Sequence, residues 1–129
     1  MVEQLEGRTL LSGVLPASVH ASTDAVYTVS GNASSTTVTL SQGVFSFEAN
    51  EGTTDWPGLN LTVTNSAEVI FNSQQTFSSL TLSGSARAVA STGGGGTSAN
   101  SLYIGTGGLS MPADPTTGLP TATLDLMDN

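Results

Sequence analysis

Short runs in which aliphatic residues alternate with Thr or Ser recur along the chain. They read Val38-Thr39-Leu40-Ser41-Gln42-Gly43, then Leu61-Thr62-Val63-Thr64-Asn65-Ser66-Ala67, then Leu80-Thr81-Leu82-Ser83-Gly84-Ser85-Ala86, and more loosely Leu102-Tyr103-Ile104-Gly105-Thr106-Gly107-Gly108. The leading positions Val38, Leu61, Leu80 and Leu102 are 23, 19 and 22 residues apart, and Leu124 follows 22 further on. A period near 20 is the mark of stacked β-coils. Alternation with period two places Leu61 with Val63, Leu80 with Leu82 and Leu102 with Ile104 on one face of each run, with Thr62, Thr81 and Tyr103 on the other.

The pattern predicts strands at Val26 to Val29, Thr37 to Leu40, Val44 to Phe47, Leu59 to Val63, Glu68 to Phe71, Ser79 to Leu82, Arg87 to Ala90, Ser101 to Ile104 and Thr123 to Met127. Between paired runs sit Gln42-Gly43, Asn65-Ser66, Gly84-Ser85 and Gly107-Gly108, and Gly and Asn suit a bend that needs positive φ. The fold expected is all-β: a right-handed parallel β-helix, or β-solenoid, of four to five coils with an N-terminal capping segment, and a β-sandwich as the alternative. In the first case Val38, Leu61, Leu80 and Leu102 form one interior column. The domain reading is residues 1–24 as a cap and 25–129 as the repeats. The end at Leu124 to Asn129, in a strand with no polar cap, suggests a piece of a longer protein and end-to-end association of an open coil.

Composition agrees with a folded, lightly built chain. Charged residues are 9% and hydrophobic residues 37% of 129 positions, too little charge for the usual disordered type. Coils that share their apolar residues with neighbours need fewer of them than an isolated core does. Net charge is −8, from ten carboxylates against Arg8 and Arg87, with no Lys. Binding nucleic acid requires cations that displace the counterions of the phosphates, so a nucleic-acid partner is excluded. No stretch of 18 apolar residues exists to form a transmembrane segment. The chain has no Cys, hence no disulfide framework, thiolate metal site or cysteine nucleophile.

The first 24 residues differ from the rest. Glu3, Glu6 and Arg8 precede the short apolar run Leu10 to Leu15, which breaks at Pro16. The acidic front end makes a poor secretory signal, although Val19-His20-Ala21 offers small residues to a peptidase. The stretch Leu5-Glu6-Gly7-Arg8-Thr9-Leu10-Leu11-Ser12 resembles the N-terminal motif Leu-Glu-Pro-Arg-x-Leu-Leu found in very large repeat-rich proteins of planctomycete bacteria, with Gly7 in the proline position. Phe77 to Gly84 and Ala122 to Asn129 are similar to the β-helical repeats of the same proteins. The resemblance implies a sorting role for Leu5, Glu6, Arg8, Leu10 and Leu11, export to the outside or surface of a bacterial cell, and an extended β-solenoid with no assigned activity; read on its own, the charged cluster followed by Leu10 and Leu11 suits one or two helical turns that cap the first coil.

Candidate chemistry is sparse. His20 is the only histidine and has no partner for a metal site. Gly93 to Gly96 lacks the Lys of a phosphate-binding loop and reads as a flexible linker. The best local cluster is Glu48, Glu51 and Asp55 beside Trp56: acids near an aromatic ring can face a sugar, and two acids can hold calcium. A polysaccharide-cleaving enzyme needs such acids to converge in a cleft, with Arg87 as the available cation. The reading is therefore a non-catalytic structural or adhesive module of the cell surface, without cofactor, and with a polysaccharide or other cell-envelope component as partner. The alternative is a carbohydrate-active or carbohydrate-binding β protein.

Overall fold

The computed structural model describes residues 15–32, 34–53, 55–90 and 102–125. The motif residues Leu5, Glu6, Arg8, Leu10 and Leu11, the Gly93 to Gly96 run and the last four positions lie outside the described residues.

Ten strands follow one another among the described residues: β1 (Val19–Ala21), β2 (Val26–Asn32), β3 (Ser35–Gln42), β4 (Val44–Phe47), β5 (Asn60–Val63), β6 (Glu68–Phe71), β7 (Gln75–Leu82), β8 (Arg87–Ala90), β9 (Leu102–Ser110) and β10 (Thr123–Asp125). They make two five-stranded sheets. Sheet I has the order β1-β4-β6-β8-β10 and sheet II the order β2-β3-β5-β7-β9. From β3 onward the chain alternates between the sheets, and within each sheet these later strands are parallel neighbours.

The expected single right-handed parallel β-helix is not the architecture observed. Both sheets are mixed: β1 runs antiparallel to β4, and β2 antiparallel to β3. The reversal between β2 and β3 has a local cause. Only two residues join Asn32 to Ser35, and a link that short can only turn the chain back on itself. Gly31, at φ 122°, begins the reversal in a conformation that side chains rarely adopt. The result is two facing layers over one core.

The expected column is also corrected. Val38, Leu61 and Leu80 are aligned on neighbouring strands, but the residue beside Leu80 is Leu109, while Leu102 is aligned with Gln75. The register shifts between Phe77 and Ser79, where Gly105, Thr106 and Gly107 stand opposite Ser78 as an irregular bulge. Leu124 belongs to the other sheet, next to Ala88.

Alternation decides what is buried. Val38, Leu40, Leu61, Val63, Leu80 and Leu82 of sheet II are fully buried, and so are Phe45, Phe47, Val69, Phe71, Ala88 and Ala90 of sheet I. All twelve belong to one apolar cluster. Rings tie the layers together: Tyr27 meets Phe45 edge-on at 6.0 Å, and Phe71 of sheet I lies 5.4 Å from Phe77 of sheet II. Side-chain size falls along sheet I from Phe45 through Val69 to Ala88, so the bulk of the core sits near β4. At the corners after β5 and β7, Asn65 (φ 56°) lies directly against Gly84 (φ 65°), and a Cβ on Gly84 would come within 3.0 Å of the Asn65 backbone.

Candidate functional site

Two places carry polar chemistry. The first is the loop between β4 and β5, which contains the acids singled out in the sequence. Its backbone turns round one carbonyl: the N–H groups of Asp55 and Trp56 both donate to the Glu51 oxygen, at 3.1 and 2.8 Å. Side chains then pin the loop to β7. Asn50 accepts from the Thr76 N–H and donates to its hydroxyl, both at 3.0 Å. Gln75, fully buried, accepts from the Glu51 N–H and donates to the Ala49 carbonyl at 2.7 Å. Gly52 passes so close to β7 that a Cβ there would strike the Thr76 carbonyl oxygen.

This clamping drives the Glu51 side chain inward. It is fully buried, and its Oε2 accepts a 2.6 Å hydrogen bond from Ser18, just ahead of β1. The Ser18 hydroxyl is also 3.4 Å from Asp55 Oδ2, so one hydroxyl faces both carboxyl groups. Glu51 Oε1 is buried with no hydrogen-bond partner. Burial, opposed in part by the Ser18 hydrogen bond and reinforced by the neighbouring Asp55 carboxyl, pushes the Glu51 carboxyl up to about 7.

The side chains of the other predicted members do not join the carboxyl pair. Glu48 is exposed and is held by Ser46 at 2.5 Å and Asn72 at 3.0 Å, which keep its carboxyl below the ordinary carboxylate range. Trp56 is 5% exposed, with its ring edge-on to Phe47 at 5.8 Å; it is a core residue and presents no face to a sugar. Arg87 is engaged by Glu68 at 2.9 Å and Asp125 at 3.2 Å on the outside of sheet I. The structure thus brings together Glu51 and Asp55, adds Ser18, and leaves out Glu48, Trp56 and Arg87. Among the described residues no three His, Cys, Asp or Glu side chains converge to hold a metal ion.

The second place is the outer face of sheet II. Register puts Thr28, Thr39, Thr62, Thr81 and Ser110 side by side across all five strands. A parallel row runs through Ser30, Thr37, Asn60, Ser79 and Gly108. None of these positions is charged, and none is fully buried. Hydroxyls in a row are spaced about 4.8 Å apart, the distance between strands, and the rows lie about 6.6 Å apart along them. Ser79 donates to Asn60 Oδ1 at 2.8 Å, so part of the array is held in place, and just past the strand ends Ser83 donates to Thr64 at 2.9 Å. The Thr-x-aliphatic alternation announces that such residues face outward; that they align into rows depends on register. No family model, curated protein or solved structure matches the chain.

No helix among the described residues is long and apolar enough to cross a membrane.

Proposed function

We propose that the chain is a non-catalytic structural or adhesive module of a bacterial cell surface, and that the outer face of sheet II lies against neutral polysaccharide of the envelope. The observation that carries this reading is the five-strand hydroxyl row from Thr28 to Ser110, free of charge on a chain of net charge −8. Neutral sugar polymers offer hydroxyls as both donors and acceptors, and Thr and Ser hydroxyls answer both roles. A rigid array limits the side-chain freedom lost on contact, which is the chief cost of binding through small polar groups. The resemblance of Leu5 to Ser12 to the planctomycete motif supports export of such a module.

The enzymatic alternative draws less support. Arg87 is tied to Glu68 and Asp125, and Trp56 is turned into the core, so neither completes a sugar-cleaving site around Glu51 and Asp55. Co-sedimentation with insoluble cellulose and chitin tests the proposal. Retention is expected for the native chain on at least one of them and loss for the double variant Thr62→Lys and Thr81→Lys, whose folding circular dichroism would verify. Equal retention of both proteins, or of neither, would refute it.

A further inference from the structure

We propose that Ser18, Glu51 and Asp55 form a binding site for a hard divalent cation of the calcium type, which fastens the start of β1 to the loop between β4 and β5. The site is separate from the hydroxyl face and does not depend on it.

Three observations meet here. Glu51 is fully buried, yet its Oε1 has no hydrogen-bond partner, and a buried carboxylate oxygen without one is costly to leave so. The carboxyl of Asp55 stands next to it, with the Ser18 hydroxyl between them at 2.6 and 3.4 Å. Two acids this close repel when both are ionised, and a cation placed between them removes that repulsion while giving Glu51 Oε1 a partner. All the side-chain donors are oxygens, the set that calcium takes and that softer metals do not prefer. Asp55 is exposed whereas Glu51 is buried behind it, so an ion held by the pair would reach it from the Asp55 side.

With two carboxylates and one hydroxyl, the affinity expected is that of extracellular calcium modules, on the order of 10⁻⁴ to 10⁻³ M. Magnesium, which demands a tighter octahedron and gives up water reluctantly, should bind more weakly.

Terbium luminescence offers a readout that does not rely on stability, because Trp56 adjoins Asp55 in the chain and can sensitise a lanthanide bound there. Titration of the full chain with terbium chloride under tryptophan excitation should give saturable emission, displaced by millimolar CaCl2 more effectively than by MgCl2. The variant Glu51→Gln, isosteric but uncharged, should abolish the signal, and Ser18→Ala should weaken affinity several-fold. Retention of native circular dichroism would show that both variants fold. Absence of saturable emission from the native chain, or an unchanged titration in Glu51→Gln, would overturn the assignment.

Discussion

Ser18 and Glu51 are 33 positions apart and are joined by a 2.6 Å hydrogen bond. The bond sews the lead-in to β1 onto the loop after β4, alongside the 2.8 Å bond from the Glu48 N–H to the Ser18 carbonyl. Strand β1 has only three residues, so these links, together with its pairing to β4, determine whether the N-terminal edge of sheet I stays closed.

Their pH dependence follows in sign from Glu51. Its folded-state pKa is raised, from about 4.5 to about 7, so the folded protein holds this proton more tightly than the unfolded chain does. Stability is therefore highest while the carboxyl is protonated and falls as pH rises between these two values, by about 3 kcal/mol. Glu48 acts in the opposite sense: its lowered pKa gives a contribution present above its ordinary value and lost as pH falls towards and through the folded one. Chemical denaturation in EDTA should thus show a maximum near about pH 5, and in Glu51→Gln the decline on the alkaline side should vanish. A native profile that rose from pH 5 to 8 would contradict this account.

The core predicts larger effects. Leu61 is fully buried and flanked by Val38 and Leu80 on neighbouring strands, so Leu61→Ala leaves a cavity in the middle of sheet II. A loss of about 2 to 5 kcal/mol is expected. Phe71, in contact with the rings of both Phe47 and Phe77, should cost about 3 to 5 kcal/mol when truncated to Ala. Urea denaturation followed by circular dichroism would measure both.

Corner geometry makes Asn65 and Gly84 unequal to replace. Asn65→Gly should change stability by less than about 1 kcal/mol, since Gly suits φ 56° but loosens the unfolded chain. Gly84→Val places a branched side chain at φ 65° against the Asn65 backbone and should cost at least about 1 to 2 kcal/mol. Thermal melts of the two variants would separate these outcomes.

On the outside of sheet I, Arg87 bridges Glu68 and Asp125, with its side chain 47% exposed. Solvent screens such pairs, so Arg87→Met should cost no more than about 1 kcal/mol, and the difference should shrink in high salt. A loss of several kcal/mol would show that the pairing supports β8 and β10 more strongly than surface ion pairs do.

Much of the strand inventory was legible in the sequence, because alternation of aliphatic and hydroxyl residues marks a half-buried strand wherever it occurs. Val44–Phe47, Glu68–Phe71 and Arg87–Ala90 have the limits that pattern predicts. What escaped it was pairing. Val19–Ala21 has no alternation long enough to read, and it becomes a strand by lying against Phe45 to Phe47. The Gly105 to Gly107 stretch carries little side-chain information, so the slip that brings Leu109 rather than Leu102 beside Leu80 was not visible. The same holds for the acids. Proximity in sequence grouped Glu48, Glu51, Asp55 and Trp56, yet alternation along the end of β4 and the clamp from Gln75 and Asn50 send Glu48 outward and Glu51 inward. Ser18, which completes the cluster, was reachable only through three-dimensional contact.

The two broad sides of the molecule differ in charge, and the difference bears on the proposed role against a neutral polymer. Sheet I turns Glu48, Glu68 and Asp125 outward, with Arg87 among them, while sheet II shows only uncharged groups in its hydroxyl rows. Laid with its neutral side down, each copy presents anionic groups to the medium, so a polymer with no charge of its own would acquire a negative outer layer. Particles of like sign would then be kept at a distance set by the ionic strength of the surroundings.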